Sequence, residues 1–186
     1  LSPNEMSNYY FRNTKKEVPH NQMLNFASLV AKAKGLGVVR DVGLVFNNEV
    51  PEGGTKTKSF LARWASATVG ATWSKAGWGI SVDGYVQKDY VTKKPVVASS
   101  VIIQFVEQYD SKYGDRFGGK TPLARTIGSG TAIILRNGQR FAATWSRPTA
   151  ESGTVYAVNG ETFPLPTGQV WVILVNRAKP SSVSFK

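Results

Sequence analysis

Two adjacent residues, Asn137-Gly138, constrain this chain more than any others. They separate two runs of alternating side chains, GSGTAIILR and QRFAATWSR. A two-residue β-hairpin turn of type I′ needs positive φ at both central positions, and Asn and Gly tolerate that best. A tight turn here fixes the whole register: Arg136 opposes Gln139, Leu135 Arg140, Ile134 Phe141, and Ala132 Ala143. Trp145 then lies opposite Gly130, where a missing side chain lets the indole lie flat on the backbone. Ile134, Phe141, Ala132, Ala143 and Trp145 share one face, which is read as core. The GSG at Gly128–Gly130 is therefore a strand entry. A phosphate cradle would lead into a helix N-terminus, whose free N–H groups hold the anion. This one leads into Thr, Ile, Ile and Leu.

Similar signals recur downstream of Pro51-Glu52-Gly53-Gly54-Thr55. Short strands are expected over Ser59 to Trp64, Thr68 to Trp73, Trp78 to Val82 and Ser100 to Glu107. Turns fall at Asp83-Gly84, Gly118-Gly119, Asn159-Gly160 and Thr167-Gly168. A hairpin at Asn159-Gly160 joins Thr154–Ala157 to Glu161–Phe163. A last strand, Gln169 to Val175, is expected to bury both faces. Many short strands at this pace predict a mainly β fold, an antiparallel β-sandwich or barrel-like sheet.

One short helix precedes them, from Asn25 to Lys34. Asn25 caps it, Phe26, Leu29, Val30 and Ala33 form its apolar face, and Gly35 ends it. This gives two domains: residues 1–50, irregular plus a helix, and residues 51–186, the antiparallel β domain.

Composition limits the chemistry. The chain has 186 residues and no cysteine, so disulfides, thiolate metal sites and cysteine nucleophiles are excluded. A single histidine excludes a multi-histidine metal centre. Glu107, Asp110 and Asp115 share a strand-to-loop region, but interleaved Lys112 and Arg116 make a solvated loop the better reading than a calcium or glycosidase site. No cofactor or metal is expected. The formal charge is +11, spread along the chain with no basic run longer than a pair. Such a field attracts polyanions without choosing among them. Of the five tryptophans, Trp145 and Trp171 suit the core. Trp73 and Trp78, flanking Ser74-Lys75-Ala76-Gly77, are read as the exposed pair, with Arg63, Arg140 and Arg147 as candidate anion contacts. No apolar run reaches the roughly 18–20 residues that span a bilayer. Leu1-Ser2-Pro3-Asn4-Glu5 has neither a basic nor an apolar leader region, so the chain reads as cytoplasmic or as a fragment whose leader lies upstream.

The series GSGTAIILRNG, ATWSRP, Asn159-Gly160 and PLPTGQVWVILV, with SVIIQFVEQY upstream, resembles the C-terminal domain of YerB-like bacterial lipoproteins. Arg12 and Pro19-His20-Asn21 are similar to that family's R…PHN segment ahead of a short helix. The resemblance covers most of the chain, densest from Val101 to Asn176 and loose over residues 36–95. Ala157-Val158 departs from it, since many relatives carry an acidic residue there. The resemblance implies an extracytoplasmic protein, lipid-anchored through an upstream segment or secreted. It also implies a further N-terminal domain, of which this chain holds the end. The family's domain has no established function and supplies no catalytic residue.

Two functions follow. One is a non-enzymatic envelope module that binds an anionic wall polymer, lipid head groups or an envelope protein through Trp73, Trp78, Arg140 and Arg147. The alternative is a hydrolase-type enzyme with a site near His20, with Arg12 and Asn21, at the junction with the missing domain. A hydrogen-bonding role for His20 and Asn21 beside Pro19 is the plainer reading of those residues. Single-stranded nucleic acid on a sheet face is a weaker third, which export argues against.

Overall fold

The structure is a computed structural model that describes residues 7–18, 20–32, 41–114 and 117–186. Pro19, Ala33, Lys34, Gly35, Asp115 and Arg116, which figure in the sequence reading, lie outside these residues. The chain divides into two compact units, Leu1–Arg40 and Asp41–Lys186.

The first unit pairs β1 (Tyr10–Arg12) with β2 (Gln22–Leu24) antiparallel, followed by α1 (Phe26–Lys32). Asn25 caps α1: its side-chain oxygen accepts from the Ser28 N–H at 3.1 Å. The expected apolar face is corrected. Leu29 is buried, but Phe26 and Val30 are exposed. A seven-residue helix beside a two-stranded ribbon finds cover for little more than one side chain.

In the second unit the described strands, in chain order, are β3 (Thr55–Lys56), β4 (Ser59–Arg63), β5 (Thr68–Ser74), β6 (Gly77–Val82), β7 (Tyr85–Val86), β8 (Val97–Ala98), β9 (Ser100–Gly114), β10 (Lys120–Arg125), β11 (Gly128–Arg136), β12 (Gln139–Arg147), β13 (Val155–Val158), β14 (Glu161–Thr162), β15 (Val170–Asn176) and β16 (Val183–Phe185). They form two sheets. An eight-stranded sheet runs β10-β9-β11-β12-β13-β14, with β15 added on β9 and β3 on β12. A six-stranded sheet runs β16-β4-β5-β6-β7, with β8 added on β6. The fold is mainly β, a sandwich whose sheets do not close into a barrel.

The Asn137-Gly138 hairpin has the register that its turn dictates, from Arg136↔Gln139 to Gly130↔Trp145 and on to Gly128↔Arg147. Both turn residues have positive φ, 51° and 71°. A Cβ on Gly130 would come within 2.7 Å of the Trp145 indole nitrogen, so glycine there makes room for the ring. The indole N–H in turn donates to the Phe105 carbonyl at 2.9 Å. Gly128–Gly130 open β11 and are paired to β12, with Gly128 at a positive φ of 117°, the arrangement of a strand entry.

Two cores result. Between the sheets pack Phe60, Ala62, Ala71, Trp78 and Ile80 from one side, and Val101, Ile103, Phe105, Leu135, Ile173 and Val175 from the other. The other face of the eight-stranded sheet carries Ile102, Ala132, Ile134, Phe141, Ala143 and Trp145, covered by Tyr156, Phe163 and Leu165. The sheet folds back over its own outer face. Val101–Val106 of β9 and Ala132–Leu135 of β11 are therefore largely apolar on both sides, as a doubly covered stretch must be. Residues 41–50 and the PEGGT stretch run beside this second core, against which Leu44 packs. Phe46 bridges to Leu165, and a Cβ on Gly54 would collide with the Phe141 ring.

Two expectations for the last strand change. β15 runs parallel to β9, in register from Val170↔Ser100 to Asn176↔Val106, so the sheet is not wholly antiparallel. Parallel neighbours need a long crossover, and no local residue signal announces one. Burial of both faces is also incomplete: Trp171, Ile173 and Val175 face the sandwich core, but Val172 is exposed.

Arg136 holds the second core at one end. It is fully buried, and among the described residues no carboxylate pairs with it. Its guanidinium donates to three backbone carbonyls: Asn47 at 2.6 Å, and Glu49 and Pro164 by shorter contacts. Burial lowers its pKa from the usual arginine value, yet an arginine stays charged under any ordinary condition. One side chain thus ties the 47–49 segment and the 164 turn to β11.

Candidate functional site

The sequence-selected residues fall into three groups. In the first unit, the Arg12 guanidinium donates to the Asn21 side-chain oxygen at 2.7 Å, and Asn21 is buried. The Asn21 carbonyl also accepts from the Asn13 N–H at 2.8 Å, closing the loop between β1 and β2. His20, beside them, is exposed. A hollow of about 280 Å³ nearby is lined by Ser7, Tyr10, Phe11, Arg12 and Gln22, without His20.

Trp73 and Trp78 are brought together, but not as an exposed pair. They oppose each other across β5 and β6, with ring centroids 5.2 Å apart and tilted by 51°. Trp78 is fully buried and Trp73 half-buried, both in the sandwich core. The cause is period-two alternation. Trp73 follows Val69 and Ala71 onto the inner face, and Trp78 precedes Ile80 there. The strands run through to Ser74 and Gly77, so the intervening loop is too short to turn either ring outward. Trp73 also supports the hairpin turn, since a Cβ on Gly138 would lie 2.6 Å from its indole nitrogen.

Arg140 and Arg147 have partners of their own. The Arg140 guanidinium stacks over the Phe185 ring, 4.8 Å from its centroid, at the rim of the sandwich. Arg147 donates to the Ser152 carbonyl at 3.0 Å, the Ala150 carbonyl at 2.6 Å and the Thr126 hydroxyl at 3.2 Å, which pins the loop after β12. Among the carboxylates, Glu107 lies 3.7 Å from Arg125 and 3.3 Å from Arg177. The described residues hold no group of three or more His, Cys, Asp or Glu able to bind a metal.

What the structure adds is the outer face of the six-stranded sheet. Ser59, Leu61 and Arg63 of β4 alternate outward, opposite Thr72, Gly70 and Thr68 of β5. Gly70 in turn opposes Ser81 of β6, and Ser184 of β16 opposes Leu61. Gly70 has no side chain, so the rows on either side form walls: a Cβ there would come within 3.1 Å of the Ser81 hydroxyl and 3.2 Å of Leu61. The result is a shallow groove of about 250 Å³ lined by Ser59, Arg63, Gly70, Thr72, Ser81, Ser184 and Lys186. Arg63 reaches the Ser184 hydroxyl at 3.3 Å. Hydroxyls, two cationic residues and the apolar Leu61 line the groove, and among the described residues no carboxylate side chain lines it. Such a lining can donate hydrogen bonds to an anion. The alternation of Ser59, Leu61 and Arg63 is visible in the sequence. That Gly70 lies between Leu61 and Ser81 is a matter of register.

The family model for the C-terminal domain of DUF3048, a protein of unknown function, matches residues 61–172. The chain belongs to this family. The fold agrees: the crystal structure of the YerB protein from Bacillus subtilis superposes with a TM-score of 0.73 at 17% sequence identity. That match covers 96% of this chain and 59% of the YerB chain, so this chain spans less than two thirds of it. At that identity the likeness shows the fold alone. No curated protein matches the chain. The family match begins at Leu61 and takes in most of the groove strands, β4 to β6.

Proposed function

We propose that this member of the DUF3048 C-terminal family is a non-enzymatic binding module of the cell envelope, acting outside the cytoplasm. Its partner is an anionic, phosphate-bearing envelope component, held on the outer face of the six-stranded sheet. The observation that carries this reading is the groove itself, lined by Arg63 and Lys186 together with serine and threonine residues and, among the described residues, by no carboxylate side chain. A formal charge of +11 adds long-range attraction of the same sign. The hydrolase alternative draws no support from His20, which is exposed and does not line the nearby hollow.

Binding of poly(glycerol phosphate) at low ionic strength tests the reading. Arg63→Gln with Lys186→Gln should weaken it by roughly three- to tenfold, since both charges are exposed and partly screened. Wild-type binding should fade as salt shortens the Debye length. Equal binding by the double variant would contradict the groove as the site.

A further inference from the structure

Next to the groove stands an arm that the core does not use. Residues 85–94 read YVQKDYVTKK. Val86 of β7 is the register partner of Ser81, so the arm leaves the sheet beside the groove. It is an ordered ladder. Gln87 N–H donates to the Ile80 carbonyl, Val96 N–H to Gln87, Asp89 N–H to Lys94 and Lys93 N–H to Asp89, all at 2.8–2.9 Å. Lys88 bridges to Pro95. At its tip Tyr90 and Val91 are each 83% exposed, with Tyr85 at 77% and Val86 at 57%. An ordered arm that holds two tyrosines and two valines in water carries apolar surface without a folding reason.

The charges around it are chosen as sharply. In sequence Lys88, Lys93 and Lys94 flank Tyr90-Val91, and Asp89 is the one acidic residue of the arm. The Asp89 carboxylate is turned into the arm, accepting from the Thr92 N–H at 2.6 Å, the Thr92 hydroxyl at 2.7 Å and the Val91 N–H at 3.1 Å. Lys93, at a positive φ of 60°, places its ammonium 4.2 Å from the Tyr90 ring centroid.

We propose that this arm docks on an anionic lipid surface, with Tyr90 and Val91 entering the headgroup layer and Lys88, Lys93 and Lys94 meeting lipid phosphates. The proposal rests on the anion-binding reading of the neighbouring groove and names the kind of surface it faces. A hydrophilic polymer chain offers no cover for exposed valine. A bilayer interface offers both apolar depth and phosphate charge, and tyrosine rings settle at that boundary. A second copy of the chain would set each lysine cluster against its equivalent, a like-charge contact.

Co-sedimentation with phosphatidylcholine vesicles, with and without phosphatidylglycerol, decides the matter. The wild type should bind only the phosphatidylglycerol vesicles. Tyr90→Ser with Val91→Ser should bind at least about tenfold more weakly, from lost apolar burial. Lys93→Gln with Lys94→Gln should lose roughly fivefold per lysine. A Tyr90→Trp variant should shift its emission to the blue on these vesicles. All four positions are exposed, so thermal unfolding of the variants should match the wild type. The proposal is overturned if the serine variant binds like the wild type, or if the tryptophan emission does not move. It is overturned too if sedimentation velocity shows a dimer that the serine variant abolishes. Wild-type protein that binds poly(glycerol phosphate) and ignores vesicles defeats the arm and leaves the groove. Protein that binds neither defeats both.

Discussion

The two sheets of the sandwich are buried to different extents. The middle of the eight-stranded sheet, over Val101–Val106 of β9 and Ala132–Arg136 of β11, is covered on both faces: one by the other sheet, the second by Tyr156, Phe163 and Leu165 of its own returning chain. The six-stranded sheet is covered on its inner face, and its outer face presents Ser59, Arg63, Gly70, Thr72 and Ser81. A stretch of sheet buried on both sides serves stability. A sheet with one polar face keeps a rigid platform for contact with something else. Substitutions in the first should therefore change folding, and those on the outer face of the second should change binding.

The largest effect is expected at Arg136. Arg136→Met would leave the carbonyls of Asn47, Glu49 and Pro164 without their donor. Stability should fall by about 3–5 kcal/mol in denaturant titration. Gly130→Ala comes next. Its new methyl group would push on the Trp145 indole and strain its bond to Phe105, costing about 2–4 kcal/mol.

Tyr156 gives a smaller, pH-dependent effect. Its hydroxyl donates to the Gln104 side chain at 2.7 Å, and burial pushes its pKa up to about 12. The unfolded tyrosine ionises near pH 10, so above that pH the unfolded chain releases a proton that the fold retains. Stability should therefore be unaffected by this group below pH ~10 and fall by about 2 kcal/mol as pH rises toward ~12. Tyr156→Phe should remove that decline, as measured by unfolding across the range. The smallest effect is expected on the outer face, where Thr72→Ala should change stability by no more than about 0.5 kcal/mol. A large loss there would erase the contrast between the sheets.

The hairpin was legible because two local signals agreed, a positive-φ turn pair and a strict period of two. The Gly130–Trp145 contact followed from that register. The same period places Arg136 on the face of Ile134, but a charged residue beside a turn is ordinarily solvated, and nothing local shows that three carbonyls await it. Trp73 and Trp78 were misplaced because the glycine and lysine between them resemble a wide loop, although parity with Ala71 and Ile80 sends both rings inward. The parallel pairing of β15 with β9 joins segments far apart in sequence. The groove arises the same way, since Gly70 acquires its role only when Leu61 and Ser81 flank it. The Tyr85–Lys94 arm was readable as residues, but its exposure depends on the ladder that keeps it off the core.

The most direct test is a two-dimensional amide NMR titration with poly(glycerol phosphate) at low salt. The shifts should concentrate at Leu61, Arg63, Gly70, Thr72, Ser81 and Ser184, leaving β11 and β12 unmoved. Perturbations centred on Arg12, His20 and Asn21, or scattered evenly over the basic surface, would contradict the outer sheet face as the binding site.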